Sequence, residues 1–213
     1  MKKHIIWDFN GTMLADAQLS VDCDNVVFDT LGLPRITIDD YRAHMTMPVR
    51  NFYIALGVDL DVYPYETISR IWLDRFNQLA VEAGLVPGVL DVVRTLHEMG
   101  YTQSILSASY EPSLLGQCGH LGLVPYMQAI NGLGDESAMP KTEIGRRQMQ
   151  ALGLDPQNVL LVGDMIADVQ LAQALGAQCV LVPWGHNSRE RLAATGCPIA
   201  GSCEELLERI IKG

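Results

Sequence analysis

Four polar points, each at the end of an apolar run or ahead of a helical stretch, have side chains suited to moving a phosphoryl group. Asp8 follows Ile5-Ile6-Trp7 and opens Asp8-Phe9-Asn10-Gly11-Thr12. Ser107 follows Gln103 to Leu106, Lys141 precedes a helical stretch, and Gly163-Asp164 follows Val159 to Val162. A carboxylate can attack phosphorus and form an aspartyl phosphate once the charge of the incoming group is neutralised. Asp8 and Asp164 offer the oxygen ligands that Mg²⁺ takes while it keeps several waters. Lys141 supplies a fixed positive charge, and Ser107 a hydroxyl donor to a phosphoryl oxygen. Each residue alone has a plainer reading as a turn former, a helix cap or a solvated charge. Their order along the chain and their shared placement at strand ends favour a site, because ligands of open parallel sheets bind beyond the carboxyl ends of the strands.

Positioning these residues requires a sheet. The chain alternates short apolar strands with amphipathic helices, which predicts an α/β fold, a Rossmann-like parallel sheet with helices on both faces. Strands are expected at Ile5 to Trp7, Gln103 to Leu106, Met127 to Ile130, Val159 to Val162 and Cys179 to Val182. Leu90, Val93 and Leu96 share one face of a helix that stops at Gly100, and Val169, Ala172 and Leu175 do so before Gly176. Ser202 with Glu205 reads as a capping box opening the last helix. Residues 16–84 break the alternation and read as helix after helix. Ile68, Trp72, Leu79 and Ala83 recur at helical spacing there, with Gly84 as the stop. The predicted organisation is a core of residues 1–15 and 85–213 and an inserted α-helical domain of residues 16–84, hinged near Leu14 to Asp16 and Gly84 to Gly88.

Composition narrows the partners. The 213 residues carry a formal charge of −10, which argues against a nucleic-acid surface, whose affinity comes from Lys and Arg contacts to phosphate. No apolar stretch has the length to span a bilayer. Lys2 and Lys3 precede an apolar run that ends at Asp8, too short for a signal peptide. The five cysteines have no paired metal-ligand spacing, so reduced thiols and a cytoplasmic location are expected.

Together these motifs resemble those of the haloacid dehalogenase-like hydrolases. The first motif of that superfamily, Asp-x-Asp-Gly-Thr, is similar to Asp8-Phe9-Asn10-Gly11-Thr12. The second resembles Ser104-Ile105-Leu106-Ser107, the third Met139-Pro140-Lys141-Thr142, and the fourth, Gly-Asp-x-x-x-Asp, resembles Gly163-Asp164-Met165-Ile166-Ala167-Asp168. The layout looks like that of phosphoglycolate phosphatases. The resemblance implies that residues 16–84 form a cap and that Asp8 is the nucleophile and a Mg²⁺ ligand. It makes the main-chain carbonyl of Asn10 and the carboxylate of Asp164 further ligands, and has Asp168 hold a metal water or Lys141. Thr12 shapes the turn. Thr12 and Ala108, with Arg50 and His44 of the cap, are the expected substrate contacts, and Arg42 and Tyr53 are further cap candidates. The implied substrate is a small phosphorylated metabolite.

One position departs from the pattern. The second acid of the first motif, which protonates the leaving group and then activates water, is replaced by Asn10. An amide keeps the carbonyl but cannot shuttle the proton. Three readings follow: a slower phosphatase or one that borrows an acid or base, another chemistry such as phosphonate hydrolysis, or a phosphate-binding regulatory protein. The phosphonate route is disfavoured because it uses a cap lysine and residues 16–84 contain none.

Overall fold

In the computed structural model, which describes residues 3–80, 82–134 and 140–212, the first strand, β1 (His4–Trp7), is followed by four helices. These are α1 (Ala17–Leu31), α2 (Ile38–His44), α3 (Arg50–Ala55) and α4 (Tyr65–Leu79). The chain continues with α5 (Val89–Glu98), β2 (Thr102–Tyr110), α6 (Glu111–His120) and β3 (Ala129–Leu133). It closes with α7 (Lys141–Ala151), β4 (Val159–Gly163), α8 (Ile166–Leu175), β5 (Gln178–Leu181), α9 (Arg189–Ala193) and α10 (Cys203–Lys212).

The five strands form one sheet in the order β3-β2-β1-β4-β5, and every neighbouring pair is parallel. β1 therefore lies where the order reverses, between β2 on one side and β4 on the other. Its position follows from its side chains: Ile5, Ile6 and Trp7 are fully buried, each burial contributing roughly 1.5–3 kcal/mol. The Trp7 indole N–H donates to Gln103 Oε1 at 3.0 Å, and Gln103 Nε2 donates to the Val93 carbonyl at 2.9 Å. One face of the sheet packs on Val89, Val93, Leu96, Leu206 and Ile210 of α5 and α10. Met149, Leu171, Ala172 and Leu175 of α7 and α8 cover the other.

Helices α1 to α4 surround a separate apolar cluster of Val21, Val27, Phe28, Phe52, Tyr53 and Ile68. Thr37 and Asp40 form a reciprocal capping box at the start of α2. The two chain crossings into this helical segment lie side by side. The Ala15 N–H donates to the Gly84 carbonyl at 2.9 Å, and the Val86 N–H to the Met13 carbonyl at 2.8 Å.

Three sequence expectations change in detail. The helix of Ile68 and Trp72 ends at Leu79, not at Gly84, because Ala83 and Leu85 turn away to pack on the cluster between the sheet and α5. β2 runs on past Leu106 because its pairing with β3 resumes, after a shift of register, at Tyr110 opposite Leu133. Met127 correspondingly precedes β3. At α10, Ser202 Oγ accepts the Glu205 N–H at 3.2 Å, but the Glu205 carboxylate turns to the Gly201 N–H at 2.7 Å, so the box is only half formed. Among the described residues no helix is long and apolar enough to cross a membrane.

Candidate active site

β1 delivers Asp8 to the reversal point, where the Asp8 N–H donates to the Val162 carbonyl of β4 at 2.8 Å. β4 ends at Gly163, so Asp164 arrives beside it, and Asp168 follows in the first turn of α8. Carboxylate oxygens of Asp8, Asp164 and Asp168 lie within 4.8 Å of one another. Lys141, the first residue of α7, reaches across: its Nζ is 2.5 Å from Asp8 Oδ1 and 3.3 Å from Asp168 Oδ1. The other Asp168 oxygen, Oδ2, accepts the N–H groups of Asp164 and Met165 at 3.1 and 3.0 Å. Asp168 thus holds both the lysine and the backbone of the loop.

Asp164 is clamped from two sides. Its Oδ1 accepts the Thr12 hydroxyl at 2.8 Å, and its Oδ2 the His186 N–H at 2.6 Å. Gly11, at φ 73°, lets the first loop pass close by. A Cβ there would meet Asp164 Oδ2 and His186 Cδ2 at 2.5 Å, so both the backbone angle and the space require glycine.

Burial and mutual repulsion leave these carboxylates short of positive charge. Burial first, opposed by Lys141 and reinforced by Asp168 and Asp164, pushes the Asp8 carboxyl up to about 7. Burial does the same to Asp164, to about 6, against the pull of His186. Burial alone would lower Lys141, but Asp8 and Asp168 carry it above the ordinary lysine value. Three buried carboxylates facing one ammonium are the donor set of a hard divalent cation, which prefers oxygen and would stabilise the ionised forms.

Asn10 is fixed at both ends of its amide. Its Nδ2 donates to Asp16 Oδ2 at 2.7 Å, and its Oδ1 accepts the Ser109 hydroxyl at 2.6 Å, with Ser107 Oγ at 3.4 Å. Asp16, 1% exposed, also accepts the Gly11 N–H at 2.7 Å and faces His186 Nε2 at 3.5 Å. Burial would lower His186, yet Asp16 and then Asp164 hold its imidazole above the ordinary value. On its other edge His186 Nδ1 meets the Tyr41 hydroxyl of α2 at 3.0 Å.

The structure therefore brings Asp8, Asn10, Thr12, Ser107, Lys141, Asp164 and Asp168 together. Of the third motif, Met139 lies outside the described residues. Ala108 is exposed on β2 directly after Ser107. The cap candidates are placed differently. His44 is exposed, with Nδ1 2.8 Å from the Asp40 carbonyl of its own helix. Arg50 is exposed at the start of α3. No hydrogen bond joins either to the strand-end residues among the described contacts. Tyr53 is buried in the helical cluster, its hydroxyl donating to Asp24 Oδ1 at 2.7 Å. Arg42 ties the helical segment to the core, donating to the Gly185 and Trp184 carbonyls at 2.8 and 2.7 Å. Arg191 returns the tie by donating to the Arg42 and Met45 carbonyls at 3.1 and 2.6 Å.

Sequence reading missed Asp16, Ser109, Gly185 and His186. The strand-end rule that found Asp8 and Asp164 reaches Gly185 and His186 when it is applied to β5 as well.

A parallel sheet with a lysine-paired carboxylate at its reversal point defines a doubly wound α/β protein that works over its strand ends. Within that class, the chain belongs to the haloacid dehalogenase-like hydrolases, whose family model matches residues 5–182. It is similar to a phosphoglycolate phosphatase of Mesorhizobium japonicum, 24% identical over 87% of this chain and 84% of that one. It is also similar to the pyrophosphatase PpaX of Bacillus pumilus, 29% identical over 88% and 86%. In fold it matches a haloacid dehalogenase-like family hydrolase from Streptococcus pneumoniae with a TM-score of 0.83, at 21% identity and 98% coverage of both chains.

Proposed function

We propose that the protein is a Mg²⁺-dependent phosphatase that hydrolyses small phosphorylated metabolites through an aspartyl phosphate on Asp8. The observation that carries this reading is Asp8 itself: a buried carboxylate at the reversal point, held by Lys141 and grouped with Asp164 and Asp168. The phosphatase names of the relatives support the same reaction class.

Asp8, the main-chain carbonyl of Asn10 and Asp164 would hold the cation, with Asp168 ordering its surroundings. When bound, Mg²⁺ supplies charge that lets an anionic ester approach an anionic nucleophile. An Asp8 oxygen attacks phosphorus, the bond to the ester oxygen breaks, and that oxygen leaves as the alkoxide or aryloxide, taking its proton from solvent. Lys141 and the Ser107 hydroxyl stabilise charge on the phosphoryl oxygens. Water then attacks phosphorus, the bond between phosphorus and the Asp8 oxygen breaks, the water's protons pass to the departing phosphate and to solvent, and the Asp8 carboxylate is restored. Helices α1 to α4 act as a cap that selects the organic part of the substrate, held to the core by Arg42 and Arg191.

Asn10 positions without proton transfer. Its carbonyl oxygen gathers the Ser109 and Ser107 hydroxyls and its N–H₂ holds Asp16, so leaving groups that depart without a proton are favoured. The same residue supports a second reading, a phosphate-binding protein of little turnover. Hydrolysis of an aryl phosphate separates the two. Mg²⁺-dependent turnover that falls at least a thousandfold or so in Asp8→Asn supports the enzyme. No turnover of any ester across a broad panel, with phosphate still bound, supports the binding protein.

A further inference from the structure

We infer that Cys179 and Cys197 form a redox-active dithiol that closes to an intramolecular disulfide under peroxide, fastening β5 to the segment after α9. On the edge away from β4, β5 has a further parallel neighbour. Leu181 bridges Ile199, the Leu181 N–H donates to the Pro198 carbonyl and the Ala200 N–H to the Leu181 carbonyl, both at 2.8 Å. Two residues back, the same register sets Cys179 beside Cys197 on one face. The Cys197 thiol donates to the Cys179 carbonyl at 3.3 Å. Neighbouring strands run about 4.8 Å apart, inside the range of roughly 4.4–6.8 Å that disulfide Cα pairs span.

The pair is reachable as well as close. Cys179 and Cys197 are half-buried, whereas Cys23, Cys118 and Cys203 are buried. We take Cys197 as the attacking thiol: Cys179 lowers it from the ordinary cysteine value against the effect of burial, with a further contribution from the Leu181 backbone, and it sits on the loop that follows α9 while Cys179 is fixed in β5. Its thiolate attacks one peroxide oxygen, the O–O bond breaks, and hydroxide leaves as water after taking a proton. The resulting sulfenic acid is attacked by the Cys179 sulfur, the S–O bond breaks, and a second water leaves. Two thiols have lost two electrons and two protons to one peroxide. The ring so closed contains Gly185 and His186, whose loop clamps Asp164.

The test is mass spectrometry of the full-length protein treated with hydrogen peroxide at low equivalents. Loss of two hydrogen masses is expected, mapped by proteolysis under non-reducing conditions to one cross-linked Cys179–Cys197 peptide and reversed by dithiothreitol. Cys197→Ser and Cys179→Ser should each abolish the cross-link. The inference is overturned if the wild-type chain keeps both thiols alkylatable, if Cys197 gains oxygen without the cross-link, or if the lost hydrogens map to another pair. Because the wild-type readout stands alone, a serine variant that misfolds does not rescue the idea.

Discussion

Asn10 and Asp16 have to be considered as one unit. The Asn10 amide donates to Asp16 at 2.7 Å, so an acid placed at position 10 alone would set two carboxyl groups against each other, and they would have to share a proton. Asn10→Asp by itself is therefore expected to gain little turnover. Asn10→Asp combined with Asp16→Asn reverses the pair and keeps one amide in the contact. With general acid-base catalysis typically worth roughly a hundredfold to ten-thousandfold, the double variant should exceed both single variants in kcat on an alkyl phosphate; equal rates would contradict the coupling. Asp24, in the helical segment, makes a second residue-scale prediction. Burial pushes its carboxyl from 3.8 up to about 7, opposed by the Tyr53 hydroxyl and by His186, and its Oδ2 is buried with no hydrogen-bond partner among the described residues. A group whose folded value is raised binds a proton more readily folded than unfolded, so its stabilising protonation is complete below 3.8 and lost as pH rises through 7. Asp24→Asn should thus raise the melting temperature at pH 8, by the equivalent of on the order of 1–3 kcal/mol, with the gain gone near pH 4. A gain that is the same at both pH values would refute the assignment. Asn10 was visible in the sequence as a departure, but its partner was not, because nothing in the spacing of residues 10 and 16 shows that the chain doubles back between them.

Among the elements, the connection from β5 into α9 contributes most that strand-end reading of the first four strands left out. It carries the His186 N–H onto Asp164 and, through Asn187 Nδ2 to the Met45 carbonyl at 2.8 Å, joins the end of α2. Gly185 is packed so closely that a Cβ would lie 2.1 Å from Asp164 Oδ2. Gly185→Ala must push that carboxylate away from the Thr12 hydroxyl and the His186 N–H. The Mg²⁺ concentration giving half-maximal activity should rise roughly ten- to a hundredfold, as for loss of a group that orients a metal ligand. An unchanged metal midpoint would show that Asp164 is not a ligand. The strands themselves were legible because fully buried parallel strands are short, continuous apolar runs. The end of α4 was not. Ala83 continues the helical spacing of Ile68 and Leu79 in sequence, yet it packs on the core cluster, and a periodic pattern cannot tell one long helix from a helix followed by a turn that serves a different core.

At the scale of the molecule, motif order along the chain and strand order in the sheet complete each other. Sequence placed Asp8, Ser107, Lys141 and Asp164 after or before separate apolar runs. Only the arrangement β3-β2-β1-β4-β5, with β1 at the reversal, shows why they converge. The helical segment is less legible, because a charged side chain on a helix can face solvent, a substrate or the core, and its spacing does not say which. His44 and Arg50 are exposed, whereas Arg42 serves the contact with the core. If Asp8 carries the phosphoryl group, the lack of an acid at Asn10 should slow the water step enough for that adduct to accumulate. The most direct measurement is an acid quench of the wild-type protein during turnover of an aryl phosphate with Mg²⁺, followed by peptide mapping. The expected result is the mass of one phosphoryl group on the peptide containing Asp8, absent in Asp8→Asn and without Mg²⁺. Sustained turnover with no phosphoryl group on that peptide, or with the group on a different residue, would contradict it.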